Sequence, residues 1–181
     1  SDEIVALARG AAAADAVYAT HMRNEANGLL DSIRETLHVG EATGISVQVS
    51  HHKAAGRDNW GRVHDSIRLL EEARARGLDV TADQYPYTSA STVLVAILQN
   101  NMLNERGAAG GLGRVGAEDI LLASTPRHSE YEGKTLAEVA RARATSAEAA
   151  AQWLFDEEGL AATVVIEAMD EADVRTVLGH P

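Results

Sequence analysis

The stretch ISVQVSHHK, residues 45–53, decides the fold class that this sequence predicts. It opens with a run rich in β-branched residues, which is typical of a buried strand. The run ends directly in two histidines and a lysine, and helical patterns precede and follow it. Strands that alternate with helices in this way are typical of a parallel sheet with crossover helices, so the sequence predicts an α/β fold.

The alternation extends in both directions from this strand. Strands are predicted over residues 16–20, 45–50 and 78–82, and helices over 3–15, 26–39 and 59–77. The second half is less regular, with helices over 92–105, 135–144, 147–158 and 170–178, strands over 119–123 and 162–166, and a glycine-rich loop over 106–116. We expect a single domain over residues 1–181, with an insertion or lid at about 92–160.

Composition and charge exclude several classes of protein. The chain has 181 residues, 45% of them apolar and 24% charged, as in an ordinary soluble domain. Its net charge of −11 argues against a nucleic-acid partner, and it lacks the run of about 18 apolar residues that would span a membrane. The absence of cysteine excludes disulfides and thiolate metal sites within this chain. The sequence starts without the basic region of a signal peptide, so we expect a cytoplasmic location.

Polar side chains follow each of the first three predicted strands. His21 follows the first strand, His51 and Lys53 follow the second, and the segment from Asp83 to Ser91 follows the third. Ligands of parallel α/β folds bind at the carboxyl ends of the strands, so these groups are candidates for one site. His21 and His51 lie one βα repeat apart and could share a metal ion, because neutral imidazole is a common zinc ligand. Lys53 is a candidate for binding a substrate carboxylate, or for carbamylation into a metal bridge.

The same residues also have purely structural interpretations. Strand-end histidines are often solvated, and His52, which alternates to the other side of the chain, is interpreted as structural. Arg23 and Glu25 could form an ordinary ion pair at the start of a loop. Tyr85 could pack beside Pro86, and Asp83 could cap a turn.

Four segments together resemble the N-acyl-D-amino-acid deacylases, or D-aminoacylases, of the metal-dependent amidohydrolase superfamily. They are YATHMRNE (18–25), SHHK (50–53), NWGR (59–62) and DVTADQYPYT (79–88). The resemblance implies a partial TIM (β/α) barrel, about strands five to seven with an inserted helical segment. It implies zinc bound by His21 and His51, and an N-acyl-D-amino acid held by Lys53, Tyr85 and Ser91, with Arg23 beside them. The implied activity is zinc-dependent hydrolysis of the amide bond of N-acyl-D-amino acids.

The sequence also departs from the pattern of that family. It has no His-x-His strand and no cysteine ligand, and the catalytic Asp is expected beyond Pro181, so no catalytic residue is assigned here. We therefore expect an internal fragment that is inactive by itself, with strand edges that could self-associate. Two alternatives remain open: a non-catalytic α/β binding or scaffold domain, and an amidohydrolase acting on cyclic amides with Lys53 as a carbamate bridge.

Overall fold

The structure, a computed structural model, describes residues 2–103 and 113–181 and divides the chain between two units. The first unit comprises Ser1–Pro86 and Asp170–Pro181, and the second comprises Tyr87–Met169. The chain therefore leaves the first unit once and returns to it at its C-terminal end. Most of the predicted glycine-rich loop, 106–116, lies outside the described residues.

Helices and strands alternate through the first unit. In chain order they are α1 (Asp2–Ala12), β1 (Val17–Thr20), α2 (Leu29–Thr43), β2 (Ser46–Val49), α3 (Val63–Ala75) and β3 (Val80–Ala82). All six elements were predicted from the sequence, with bounds that differ by a few residues. Apolar periodicity locates them because each helix and strand buries one face in a common core.

The three strands form a parallel sheet in the order β1-β2-β3. Thr20 pairs with Val49, and Val49 pairs with Ala82, so the three carboxyl ends are level with one another. Val47 and Val49 are buried in the apolar core, whereas Ser46 and Gln48, which alternate with them, are only half-buried. This period-2 alternation gives β2 one buried apolar face and one polar face.

Helix α2 lies close to the sheet because it carries a glycine at the point of contact. A Cβ atom on Gly40 would lie 2.6 Å from Val47 Cγ2 and 2.8 Å from Leu78 Cδ1. The helix ends at Gly44, whose φ of 73° allows its N–H to bond the Gly40 carbonyl. The connection from α2 into β2 therefore depends on two glycines: Gly40 allows close packing on the sheet, and Gly44 allows the helix to end.

The second unit contains an antiparallel sheet, in the order β4-β6-β5. Its elements are β4 (Ser89–Val93), α4 (Leu94–Gln99), β5 (Ile120–Ser124), α5 (Leu136–Ala142), α6 (Ala147–Glu158) and β6 (Thr163–Glu167). The last helix of the chain, α7 (Glu171–Leu178), belongs to the first unit. Helix α6 begins where the sequence predicted, because the Ser146 hydroxyl accepts a hydrogen bond from the Ala149 N–H.

The predicted helix over residues 92–105 is wrong at its start. Residues 89–93 form strand β4, and the helix that follows is only six residues long. Strand β4 pairs along its whole length with β6, from Ser89 opposite Glu167 to Val93 opposite Thr163. Such pairing joins segments about 70 residues apart, so a local pattern could not reveal it.

Among the described residues, every helix is too short or too polar to cross a lipid bilayer.

The close approach at Gly40 leads to a stability prediction. Gly40→Ala should lower the free energy of unfolding by about 1–3 kcal/mol, because the new methyl group must displace buried side chains of the core. Gly10→Ala is the matched control: this helical glycine has nothing within 4 Å of its added Cβ, so helix propensity should raise the stability by up to about 1 kcal/mol. Urea unfolding measures both values. Equal stability of the Gly40→Ala variant and the unmodified chain would contradict the packing described here.

Candidate metal centre

Two histidines meet at the carboxyl ends of β1 and β2. His21 follows β1 directly, and His51 lies two residues after β2. His21 Nδ1 lies 2.7 Å from His51 Nε2, and the two rings are inclined at 67° with their centroids 4.6 Å apart. Parallel pairing of the strands brings these residues together across 30 positions of sequence.

Asp83, just after β3, holds the turn that presents His51. Its Oδ1 accepts a hydrogen bond from the His51 backbone N–H at 2.6 Å, and its backbone carbonyl accepts one from the His52 N–H at 2.7 Å. His51 has a φ of 41°, in the left-handed region that non-glycine residues rarely adopt. Strain of this kind costs about 1–3 kcal/mol and persists only where neighbouring groups impose it. Asp83 supplies that constraint from the adjacent strand.

Behind His51 lies a buried pair of opposite charges, Glu25 and Lys53. Lys53 Nζ is 2.8 Å from Glu25 Oε1, and their side chains are only 3% and 1% exposed. The same carboxylate oxygen lies 2.8 Å from His51 Nδ1. Two polar groups that follow β2 therefore converge on one oxygen atom of Glu25, which follows β1.

The charge state of this pair follows from its contacts. Burial raises the pKa of Glu25, but the hydrogen bond from His51 and the charge of Lys53 outweigh burial, so the pKa is lowered. Burial lowers the pKa of Lys53, and the charge of Glu25 only partly offsets this. We assign a carboxylate and an ammonium, because Lys53 Nζ lies 2.8 Å from Glu25 Oε1 and each buried group is the charged partner of the other.

His52 faces away from this cluster and is fully buried. The Ser66 hydroxyl donates to the Val63 carbonyl at 2.9 Å, so its oxygen accepts the hydrogen of His52 Nε2, also at 2.9 Å. Burial lowers the pKa of His52 to about 4, which keeps the ring neutral at physiological pH. These contacts support the structural interpretation of His52.

The other candidate residues are distributed unevenly. Tyr85 joins the cluster, since Lys53 Nζ lies 5.6 Å from the centroid of its ring, and burial raises the pKa of its hydroxyl to about 12. Arg23 is exposed and pairs with Glu35 on α2, with Nε 3.1 Å from Oε2. Ser91 lies exposed on β4, in the second unit.

Glu25 is the residue that sequence reasoning missed. The structural interpretation that paired it with Arg23 is wrong, because Arg23 pairs with Glu35 and Glu25 pairs with Lys53. A buried lysine needs a nearby carboxylate, but the polar residues that precede Lys53 did not indicate that it would be buried. The sequence did not show which of its acids would lie within reach.

The chemistry of this cluster suits a divalent transition metal. Ligand atoms of His21, Glu25 and His51 all lie within 4.8 Å of one another. Two nitrogens on one tetrahedral zinc ion, each at 2.0–2.1 Å, lie about 3.3 Å apart. The observed 2.7 Å is a hydrogen-bond distance, so the two rings would have to separate by roughly 0.6 Å to bind one ion. Because His21 is exposed, it has room for such a movement.

The role of Asp83 can be tested without a metal. In Asp83→Ala, the amide hydrogen of His51 should exchange about tenfold faster, because it loses its acceptor. Asp79→Ala is the matched control, since Asp79 lies at the opposite end of β3 and accepts from the Ser46 hydroxyl at 2.6 Å. Hydrogen exchange followed by NMR measures both variants. Unchanged exchange at His51 in Asp83→Ala would show that another group holds the turn.

Known proteins resemble this chain over almost its whole length. No family model matches the chain. An N-acyl-D-glutamate deacylase of Alcaligenes xylosoxydans xylosoxydans is 33% identical over 178 residues, which cover 98% of this chain and 32% of that protein. The chain thus spans about a third of the length of this relative.

Solved structures of such deacylases also share the fold of this chain. The N-acyl-D-glutamate deacylase from Bordetella bronchiseptica, in complex with zinc and a phosphonate inhibitor, matches 99% of this chain and 34% of its own, with a TM-score of 0.82 and 31% identity. D-aminoacylase, described as defining a novel subset of amidohydrolases, matches 98% of this chain and 33% of its own, with a TM-score of 0.78 and 30% identity. By sequence and by fold, the chain is therefore homologous over nearly its whole length to N-acyl-D-amino-acid deacylases (D-aminoacylases), of which it spans about a third.

Proposed function

We propose that this chain supplies part of the active site of an enzyme that hydrolyses the amide bond of N-acyl-D-amino acids, with zinc as its metal. The observation that carries the proposal is the pair of imidazoles, His21 and His51, that face each other at the carboxyl ends of adjacent parallel strands. The matching Bordetella deacylase was crystallised with zinc, which favours this metal. We assign His21 and His51 as two of its ligands.

The architecture proposed for this enzyme is a TIM barrel of which the first unit forms part. Strands β1, β2 and β3 would be about its fifth to seventh strands, and the segment at about 92–160 an insertion or lid. Two features support this assignment: the sheet is wholly parallel, and its residues alternate between the apolar core and a more polar face. Parallel sheets with one uncovered face are rare, because both faces are normally packed.

Each assigned residue contributes a distinct chemical property to this site. A metal ion held by the two histidines would supply Lewis-acid polarisation of the substrate amide. Lys53 would supply a positive charge for the carboxylate of the amino acid. Its ammonium has three hydrogens, and at most two of them serve Glu25 and His51, so at least one remains for a ligand.

Tyr85 and Arg23 are the other substrate contacts proposed within the first unit, and Ser91 is proposed from the resemblance alone. With a pKa of about 12, the Tyr85 hydroxyl stays protonated at neutral pH and can donate a hydrogen bond. Arg23 would have to share its guanidinium with Glu35 in order to reach a carboxylate. Ser91 offers an exposed hydroxyl on β4.

A metal-free binding or scaffold domain is the second candidate. The 2.7 Å separation of His21 and His51 favours it, because that is the distance of a hydrogen bond between the two rings. A carbamylated Lys53, which the cyclic-amide alternative requires, is disfavoured. Carbamylation would turn the Lys53 side chain into an anion beside the buried carboxylate of Glu25, whose Oε1 lies 2.8 Å from Nζ.

Zinc binding separates the two candidates. The chain should bind a single zinc ion, and His21→Ala or His51→Ala should each weaken the binding by at least about 100-fold, because two protein ligands become one. His64→Ala, an exposed histidine on α3, is the matched control and should bind zinc as the unmodified chain does. Competition with a chromophoric chelator measures the affinities. Zinc affinity that is the same in all three variants would refute the assigned ligands.

Substrate binding tests the role of Lys53. Lys53→Met should weaken the binding of an N-acyl-D-amino acid by at least about tenfold, since a charge-assisted hydrogen bond contributes roughly 1.5–3 kcal/mol. Lys134→Met removes the only other lysine of the chain, an exposed one in the second unit, and should have no effect. NMR titration of the zinc-loaded chain measures both, with the N-acyl-L-amino acid as the stereochemical control. Equal losses in the two variants would rule out a specific carboxylate contact.

A further inference from the structure

The buried carboxylate of Glu25 has no part in the proposed function. It is 1% exposed, and both of its hydrogen-bond contacts fall on Oε1, from His51 Nδ1 and from Lys53 Nζ. Its other oxygen, Oε2, is also buried and has no hydrogen-bond partner among the residues that the structure describes. Burying a charged carboxylate costs free energy, so its contacts with His51 and Lys53 must offset that cost.

His51 Nδ1 lies between two competing partners. Lys53 Nζ is 2.8 Å away and can only donate, whereas Glu25 Oε1 is 2.8 Å away and can only accept. A neutral imidazole carries its hydrogen on one nitrogen, so Nδ1 either donates to Glu25 or accepts from Lys53. The choice decides the state of Nε2, the atom that faces His21.

The two tautomers of His51 differ in whether Nε2 has a lone pair that a metal ion can bind. With the hydrogen on Nδ1, Nε2 presents a free lone pair towards His21, and a metal ion can bind there. With the hydrogen on Nε2, that atom can only donate to His21 Nδ1, and the lone pair that a metal needs is turned towards Lys53.

We propose that Glu25 is a positioning residue that fixes His51 in the Nδ1–H tautomer. This inference rests on the proposed function only in naming zinc as the ligand that uses the free Nε2. The negative charge of Oε1 attracts the Nδ1 hydrogen, and Lys53 meets its own need by donating to the same oxygen. Carboxylates orient metal-binding histidines in this way in many proteins, and their loss typically costs 10–100-fold in metal affinity.

Glu25 acts through His51 and is not itself a ligand of that ion. The two ring nitrogens of an imidazole point in diverging directions. Glu25 Oε1 lies on the Nδ1 side of the ring, whereas His21 lies on the Nε2 side. An ion between the two histidines is therefore separated from the carboxylate by the ring of His51.

The tautomer of His51 can be read directly. Long-range 15N–1H correlation on the metal-free chain, with 15N-labelled histidine, should show the Nδ1–H form at His51. In Glu25→Gln the amide oxygen is a neutral and weaker acceptor, so Lys53 should donate to Nδ1 and shift the ring to the Nε2–H form. Zinc affinity of this variant should fall 10–100-fold. Glu35→Gln, which neutralises the carboxylate that pairs with Arg23, should change neither quantity.

The two readouts keep this inference separate from the proposed function. An Nε2–H tautomer in the unmodified chain overturns the positioning role, and so does a Glu25→Gln variant that keeps the tautomer and binds zinc within twofold of the unmodified chain. If the unmodified chain binds no zinc, the proposed metal site fails, and the tautomers of the unmodified chain and of Glu25→Gln still decide the role of Glu25. If Glu25→Gln fails to fold, the tautomer of the unmodified chain decides it alone.

Discussion

The parallel pairing of β1 with β2 is the constraint on which the candidate site depends. Thr20 lies opposite Val49, so the residues that follow the two strands emerge side by side. The 2.7 Å contact between His21 and His51 follows from that register. A slip of one residue would turn the alternate side chains of a strand to the opposite face of the sheet. The apolar face of β2, packed on its helices, therefore also fixes the geometry of the polar end.

A second set of constraints keeps the strand ends in place. Asp83 reaches across from β3 to bond the His51 N–H and so holds a backbone conformation that histidine rarely adopts. Lys53 and Glu25 are buried together, and loss of either charge would leave the other without its partner in an apolar setting. The stability of the core thus offsets the cost of a strained backbone and of buried charges, and both features are typical of functional sites.

The chain is homologous to N-acyl-D-amino-acid deacylases in sequence and in fold, and an activity of that kind is what we propose for its site. The chain matches about a third of the length of the N-acyl-D-glutamate deacylases that it resembles. Within that third lie two imidazoles, a buried lysine and a tyrosine, brought together by three strand ends. We propose that this set binds a metal and an anionic substrate.

The sequence by itself determined the alternation of helices and strands in the first unit, the start of α6 and the nearness of His21 to His51. These features depend on local apolar periodicity, on a capping serine and on the regular length of a βα repeat, all of which can be read along the chain. Only the tertiary structure decided that residues 89–93 form a strand, because their partner β6 lies about 70 residues away. It also decided that Glu25 pairs with Lys53 and that Arg23 pairs with Glu35. The physical reason is that a charge chooses its partner by distance and burial in three dimensions, and the spacing of residues along the chain encodes neither quantity.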